Sequence, residues 1–223
     1  MSAPWQNAPR HAHHEISMSS SFVTPFATLD LQRQPEQPGM PLQAFDAADA
    51  YLFEQVQSLP DGARVLLLND SFGALACALA GRAQVTSSGD SHLGHLALRL
   101  NLAHNGLAED AVTFVPASEP VSGPFDVVLI RVPKTLALLE EQLIRLHGQL
   151  APEAQVIAGA MIKHLPRAAG DLLERYIGPV QASLAVKKAR LLHATPEARP
   201  AAQSPYPTPV SYTHLRAHET GRN

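Results

Sequence analysis

The chain is poor in the residues that announce chemistry most loudly. It has one cysteine and one tryptophan; aromatic residues make up 5% and charged residues 17% of its 223 positions. A lone Cys77 excludes an internal disulfide, and it lies in a Leu-Ala stretch with no base beside it. It therefore reads as a buried structural thiol rather than a nucleophile. No apolar run approaches the roughly 20 residues that a membrane helix needs. The start carries Arg10 and histidines with no apolar segment after them, unlike a secretory leader. A reducing, cytoplasmic compartment is the expectation. No Ser/His/Asp, Cys/His or metal-ligand arrangement stands out, and no Gly-x-Gly-x-x-Gly follows the first strong strand, which disfavours a nicotinamide-dependent dehydrogenase.

What is present is an apolar content of 45%, enough for the core of a globular domain. The net charge of −3 argues against a strongly basic nucleic-acid binder. Its distribution is more informative. Residues 1–126 hold 5 Lys/Arg against 13 Asp/Glu, whereas residues 127–190 hold 9 against 5. The charge is polarised, and its basic part permits an RNA-facing surface late in the chain.

The two ends read differently from the middle. Residues 1–20 show no helical or strand period and are expected to be a disordered leader, with Met18 a candidate true start. Its His11, His13 and His14 have no Cys or acidic partners at ligand spacing, so no metal is expected there. From Pro196 the prolines recur at Pro200, Pro205, Pro207 and Pro209 with no apolar face, the composition of an exposed linker over 196–209. Residues 210–223 begin Val210-Ser211-Tyr212-Thr213-His214-Leu215-Arg216-Ala217-His218, which resembles an in-frame translation of a sequencing-library adapter. That tail is excluded from fold reasoning, and the natural chain is expected to continue past about Pro209.

Between the ends, residues 21–195 read as one α/β domain. Phe45, Ala48, Leu52 and Val56 are spaced by three and four, which predicts a helix over Gln43–Leu59, with Asp46 and Asp49 near its positive end. Strands are predicted at Ala63–Asn69, Ala83–Ser87, Val112–Val115, Phe125–Ile130, Gln155–Ala160, Val180–Leu184 and Ala185–Leu192. Helices are predicted at Leu75–Ala80, His92–Asn105, Leu136–Leu150 and Ala168–Tyr176. Such alternation implies a mostly parallel sheet with helices on both faces. Ligands of these sheets bind at the carboxyl ends of the strands, which directs attention to the loop after the first strong strand.

Val65-Leu-Leu-Leu-Asn-Asp-Ser-Phe-Gly-Ala-Leu75 resembles the opening unit of Rossmann-like class I methyltransferases. Gly89-Asp90-Ser91, Arg99-Leu-Asn101 and Asn105-Gly106-Leu107 resemble the elements that follow it. Four stretches are more specific: Leu42-Gln-Ala-Phe-Asp-Ala-Ala-Asp49, Leu68-Asn-Asp-Ser-Phe-Gly-Ala-Leu75, Arg131-Val-Pro-Lys-Thr-Leu-Ala-Leu-Leu139 and Val186-Lys-Lys-Ala-Arg190. Together they resemble the amino-terminal domain of the bacterial large-subunit rRNA guanine-N2 methyltransferases, over roughly Phe22 to Thr195; a related small-subunit enzyme shares the architecture. The resemblance implies a tandem duplication. The second copy binds S-adenosylmethionine and modifies 23S rRNA, and the first, degenerate copy supports folding and RNA recognition. The implied partners are 23S rRNA and the chain's own carboxy-terminal catalytic domain.

The departures from an active copy are physical. The acidic-x-Gly-x-Gly-x-Gly pattern that lets backbone approach the cofactor reads here Leu67, Asn69, Ser71 and Gly73. Asp70, Gly73 and Asp90 are vestigial cofactor-binding candidates. Asp90 can accept both hydroxyls of a ribose, and equally can serve as a strand-end or helix-cap aspartate. After the fourth strand, the Asn-Pro-Pro-aromatic turn that holds a target amine in line is Arg131-Val132-Pro133-Lys134. No catalytic residue is therefore expected in this chain, and no cofactor. Lys134, Lys188 and Arg190 are the RNA-binding candidates; a late strand over Lys187, Lys188 and Arg190 would put Lys188 and Arg190 on one face. Two other readings stay open: a free-standing RNA-binding or scaffold protein with a pseudo-methyltransferase fold, and a small self-sufficient methyltransferase with an unusual loop.

Overall fold

The computed structural model describes residues 21–34, 42–60 and 62–206. The histidines of the leader and the adapter-like tail lie outside them. A short hairpin of β1 (Ser21–Val23) and β2 (Thr28–Asp30) precedes α1 (Ala47–Glu54). The chain then alternates through β3 (Arg64–Leu68), α2 (Ala74–Leu79), β4 (Gln84–Gly89), α3 (His92–His104), β5 (Val112–Pro116), β6 (Phe125–Arg131), α4 (Leu136–Arg145), β7 (Leu150–Met161), α5 (Arg167–Tyr176), β8 (Val180–Ala182) and β9 (Ala189–Ala194). Seven strands form one sheet in the order β5-β4-β3-β6-β7-β9-β8. The five from β3 to β7 run parallel, and β9 runs antiparallel to both of its neighbours, β7 and β8.

The near-continuous apolar runs of β3 and β6 follow from burial on both faces. Val65 and Leu67 with Val127 and Leu129 enter the core beneath α1, α2 and α3. Their neighbours Leu66, Leu68, Val128 and Ile130 enter the opposite core beneath α4 and α5. α2 is buried at every position, so its Ala-rich sequence lets it sit close against the sheet. Cys77 within it is buried, and that burial pushes its thiol up to about 12, as the structural reading requires.

α1 covers only Ala47–Glu54 of the expected Gln43–Leu59, because Asp46 caps its start, and three further stretches differ from the sequence expectation. α4 ends at Arg145 rather than Leu150, because Gly148 turns the chain back in the left-handed region and β7 begins at once. β7 pairs with β6 through Leu150 and again from Gln155, and Pro152 sits in the irregular stretch between, where no ladder donor is needed. The third correction concerns the late cations. Val186 and Ala189 exchange backbone hydrogen bonds of 2.9 and 2.8 Å, and Lys187 and Lys188 between them have φ of 47° and 65°. They form a two-residue hairpin turn, not a strand, so the expected alternation of Lys187 and Lys188 across a sheet does not occur.

The hairpin β1–β2 has no counterpart in the sequence expectation. Its downstream segment is fastened by two side chains of α3. Asn105 accepts from the Asp30 amide and Asn101 from the Gln32 amide, both at 2.8 Å. Asn101 also donates to the carbonyls of Gln32 (2.9 Å) and Phe72 (2.8 Å). Asn101 is buried, so Asn101→Ala strands three backbone groups. The expected loss is about 2–3 kcal/mol of unfolding free energy, read from chemical denaturation.

Candidate functional site

The strand order reverses about β3, so a crevice opens outside the carboxyl ends of β3, β4, β6 and β7. Its floor begins at Asn69, which turns the chain with φ of 64°. Gly73 at the other end of this turn has φ of 80°, and a Cβ there would approach Leu98 Cδ1 to 2.7 Å. Gly73 is thus required by backbone conformation and by the packing of α2 on α3. Asp70 accepts from the Ala76 amide at 2.9 Å and also from Ala74 and Leu75, tying down the start of α2. Burial raises its carboxyl to about 6 against those bonds.

The turn after β6 holds an arrangement that sequence reasoning missed. Arg131 donates from both terminal nitrogens to Asp46, at 2.9 and 2.8 Å, and its Nε lies 3.3 Å from Asp49. Asp46 is also the N-cap of α1, accepting from Ala48 and Asp49, while Asp49 accepts from the Asp46 amide at 2.8 Å. Asn69 donates to the Arg131 carbonyl at 3.1 Å and exchanges two 2.9 Å hydrogen bonds with Gln142. The network joins α1, the β3 turn, the end of β6 and α4. Asp46 and Asp49 were legible as a helix start; that the same carboxylates hold Arg131, 85 residues away, was not.

The electrostatics follow from three aspartates facing one guanidinium. Burial pushes Asp49 up to about 7, with Arg131 pulling down and Asp70 and Asp46 adding like charge. Burial also works against ionisation of Asp46, but Arg131 and the helix amides outweigh it and hold its carboxyl below the ordinary value. Burial opposes the charge on Arg131, and the carboxylates more than compensate.

Arg131 is therefore not an available cation. Lys134, three residues on, is exposed and lines a cavity of about 360 Å³ with Met161 and His164. Ile162, Lys163 and His164 form a 3₁₀ turn after β7, and the Ile162 amide donates to the Lys188 carbonyl at 2.8 Å. The structure thus gathers Lys134, Lys163, His164, Lys187 and Lys188 at one end of the sheet. Lys163 and His164 were not singled out from sequence; cations placed just after a strand end were the available signal. Arg190 is half-buried at the start of β9, with its Nε buried and without a hydrogen-bond partner. Asp90 is exposed just after β4 and lines the crevice, where it shares a cavity with Asp46 and Arg131. Among the described residues no group of three or more His, Cys, Asp or Glu can hold a metal ion, and no helix is long and apolar enough to cross a membrane.

Sheet order, helix placement and the crevice define a Rossmann-like α/β unit of the S-adenosylmethionine-dependent methyltransferase type. Solved structures agree on the fold: the T. thermophilus 16S rRNA N2 methyltransferase solved with AdoMet and guanosine has a TM-score of 0.57 at 19% identity, over 82% of this chain and 46% of that one. Precorrin 8w decarboxylase of Methanobacterium thermoautotrophicum has a TM-score of 0.58 at 17% identity, over 74% and 96%. The chain belongs to the RLMG N-terminal domain family, whose model matches residues 19–198. It is 76% identical over 187 residues to ribosomal RNA large subunit methyltransferase G of Stutzerimonas stutzeri strain A1501, and 71% identical over 189 residues to that of Pseudomonas aeruginosa strain UCBPP-PA14. These matches cover 83% and 84% of this chain, which spans about half the length of the curated relatives.

Proposed function

We propose that this unit is the non-catalytic half of a large-subunit rRNA methyltransferase, docking 23S rRNA while the other half binds S-adenosylmethionine and transfers the methyl group. The observation that carries the reading is the Arg131 network. At the turn where a target amine would be held by an amide and a prolyl carbonyl, a guanidinium is locked onto Asp46 and Asp49. It donates hydrogens and accepts none, so it cannot aim the lone pair of an amine. The residues present do not fit S-adenosylmethionine either. Asn69 stands with a side chain where the backbone would approach the methionine, its amide is engaged by Gln142, and Asp70 is committed to α2.

The basic end of the sheet supplies the docking. Lys134, Lys187 and Lys188 are exposed there, and cations that neutralise phosphates release counterions, which makes affinity fall with salt. In an intact relative, replacing Lys134, Lys188 and Arg190 together by Ala is expected to weaken rRNA binding. The slope of log affinity against log salt should drop by about 0.7–0.9 for each phosphate that is no longer neutralised. Titrations at several salt concentrations that overlay those of the parent would refute the docking role.

A further inference from the structure

Beside the 360 Å³ cavity lies a second of about 230 Å³ along β4 and α3, and Asn69, Ser71 and Asp90 line both. The two form one groove with a chemical polarity. At one end the rings of His95 and Phe114 are stacked, with centroids 3.8 Å apart and planes within 10°. In the middle stands Asp90, which makes no hydrogen bond or ion pair with any described residue. At the other end are the exposed Lys134 and His164, beside the paired Arg131 and Asp46.

We infer that this groove holds one unstacked ribonucleotide of the docked RNA, its base on the His95–Phe114 wall, its ribose hydroxyls on Asp90 and its phosphate between Lys134 and His164. The order aromatic, carboxylate, cation matches base, ribose, phosphate. Planar bases stack on aromatic walls without regard to sequence. A carboxylate accepts from both hydroxyls of a ribose. Burial and the neighbouring Arg99 and His92 hold the His95 ring below its usual range, so it is neutral and stacks as an aromatic. The inference deepens the RNA-docking reading and rests on it for the source of the nucleotide; a free nucleotide carries the same chemistry.

Calorimetric titration of the 223-residue chain with uridine and guanosine 5′-monophosphates, the parent nucleosides and S-adenosylmethionine tests it. Both monophosphates are expected to bind, and the nucleosides about tenfold more weakly, since they lack the charge-assisted hydrogen bonds of the phosphate. Joint replacement Lys134→Ala and His164→Ala should abolish that difference. Phe114→Leu should weaken every ligand, with His95→Ala as a second variant should the first melt early. Asp90→Asn should shrink the preference for ribose over 2′-deoxyribose. Monophosphates that do not bind, or bind no better than nucleosides, overturn the inference, as does S-adenosylmethionine binding more tightly than either monophosphate. If the monophosphates fail while rRNA still docks through the lysines, the groove assignment falls and the docking reading stands. If they bind and rRNA does not, the groove is kept with a free nucleotide as its ligand.

Discussion

Replacing Arg131 by alanine is expected to cost about 3–5 kcal/mol of folding free energy, a large part of the stability of a domain this size. The side chain is 18% exposed and faces Asp46 and Asp49, of which Asp49 is 8% exposed. Removing the guanidinium leaves two carboxylates close together with Asp70 nearby, and no cation among them. The N-cap of α1 is then pulled apart by like charge, and the Asn69–Gln142 pair loses the anchored strand end beside it. Arg131→Lys should recover only part of the loss, because an ammonium cannot meet Asp46 with two parallel hydrogen bonds. Denaturant unfolding of parent, Arg131→Ala and Arg131→Lys ranks the three. An Arg131→Ala variant within about 1 kcal/mol of the parent would mean that the network is peripheral to folding, which is the range typical of exposed pairs.

The same cluster sets a dependence on pH. Asp49 rises from an ordinary carboxylate value to about 7 and Asp70 to about 6, both through burial. A carboxyl with a raised value in the folded state binds a proton there that the unfolded chain has released. Stability from this source is fully present below about pH 4, the unfolded value, and is lost as pH rises through about 7. The folded chain should therefore weaken between about pH 4 and pH 7, opposite to the usual behaviour of a salt-bridged aspartate. Asp46, held low by Arg131, has the opposite sign, but its loss falls at more acidic pH. Asp49→Asn removes the charge and keeps one oxygen, which can accept from the Asp46 amide or from Arg131 Nε but not from both. It should flatten the profile, so that the variant compares better with the parent at about pH 8 than at about pH 5. Melting curves of both proteins from about pH 5 to about pH 8 check it. Parallel profiles would show that Asp49 stays ionised throughout, held by Arg131.

The kind of fold was legible because burial on both faces of a parallel sheet forces apolar runs, and helices between them carry a period of three and four. The strands that hold Val65, Val85, Val112, Val127 and Val156 overlap their expected stretches for that reason. The hairpin at Lys187–Lys188 was not legible, since neither residue favours the left-handed region and only the exchange between Val186 and Ala189 imposes it. That Arg131-Val132-Pro133-Lys134 offers no side-chain amide at its bend was also legible.

The sequence by itself determined the layered α/β architecture, the family and the residue types at the turn after β6, because these depend on residue type and local period. Only the tertiary structure decided what those residues meet. Arg131 meets Asp46 and Asn69 meets Gln142 across separations of 85 and 73 residues, set by the order of strands in the sheet. A charge in a sequence is the same letter whether it is buried against a carboxylate or open to a phosphate; Arg131 and Lys134 are three residues apart and the fold assigned them opposite fates.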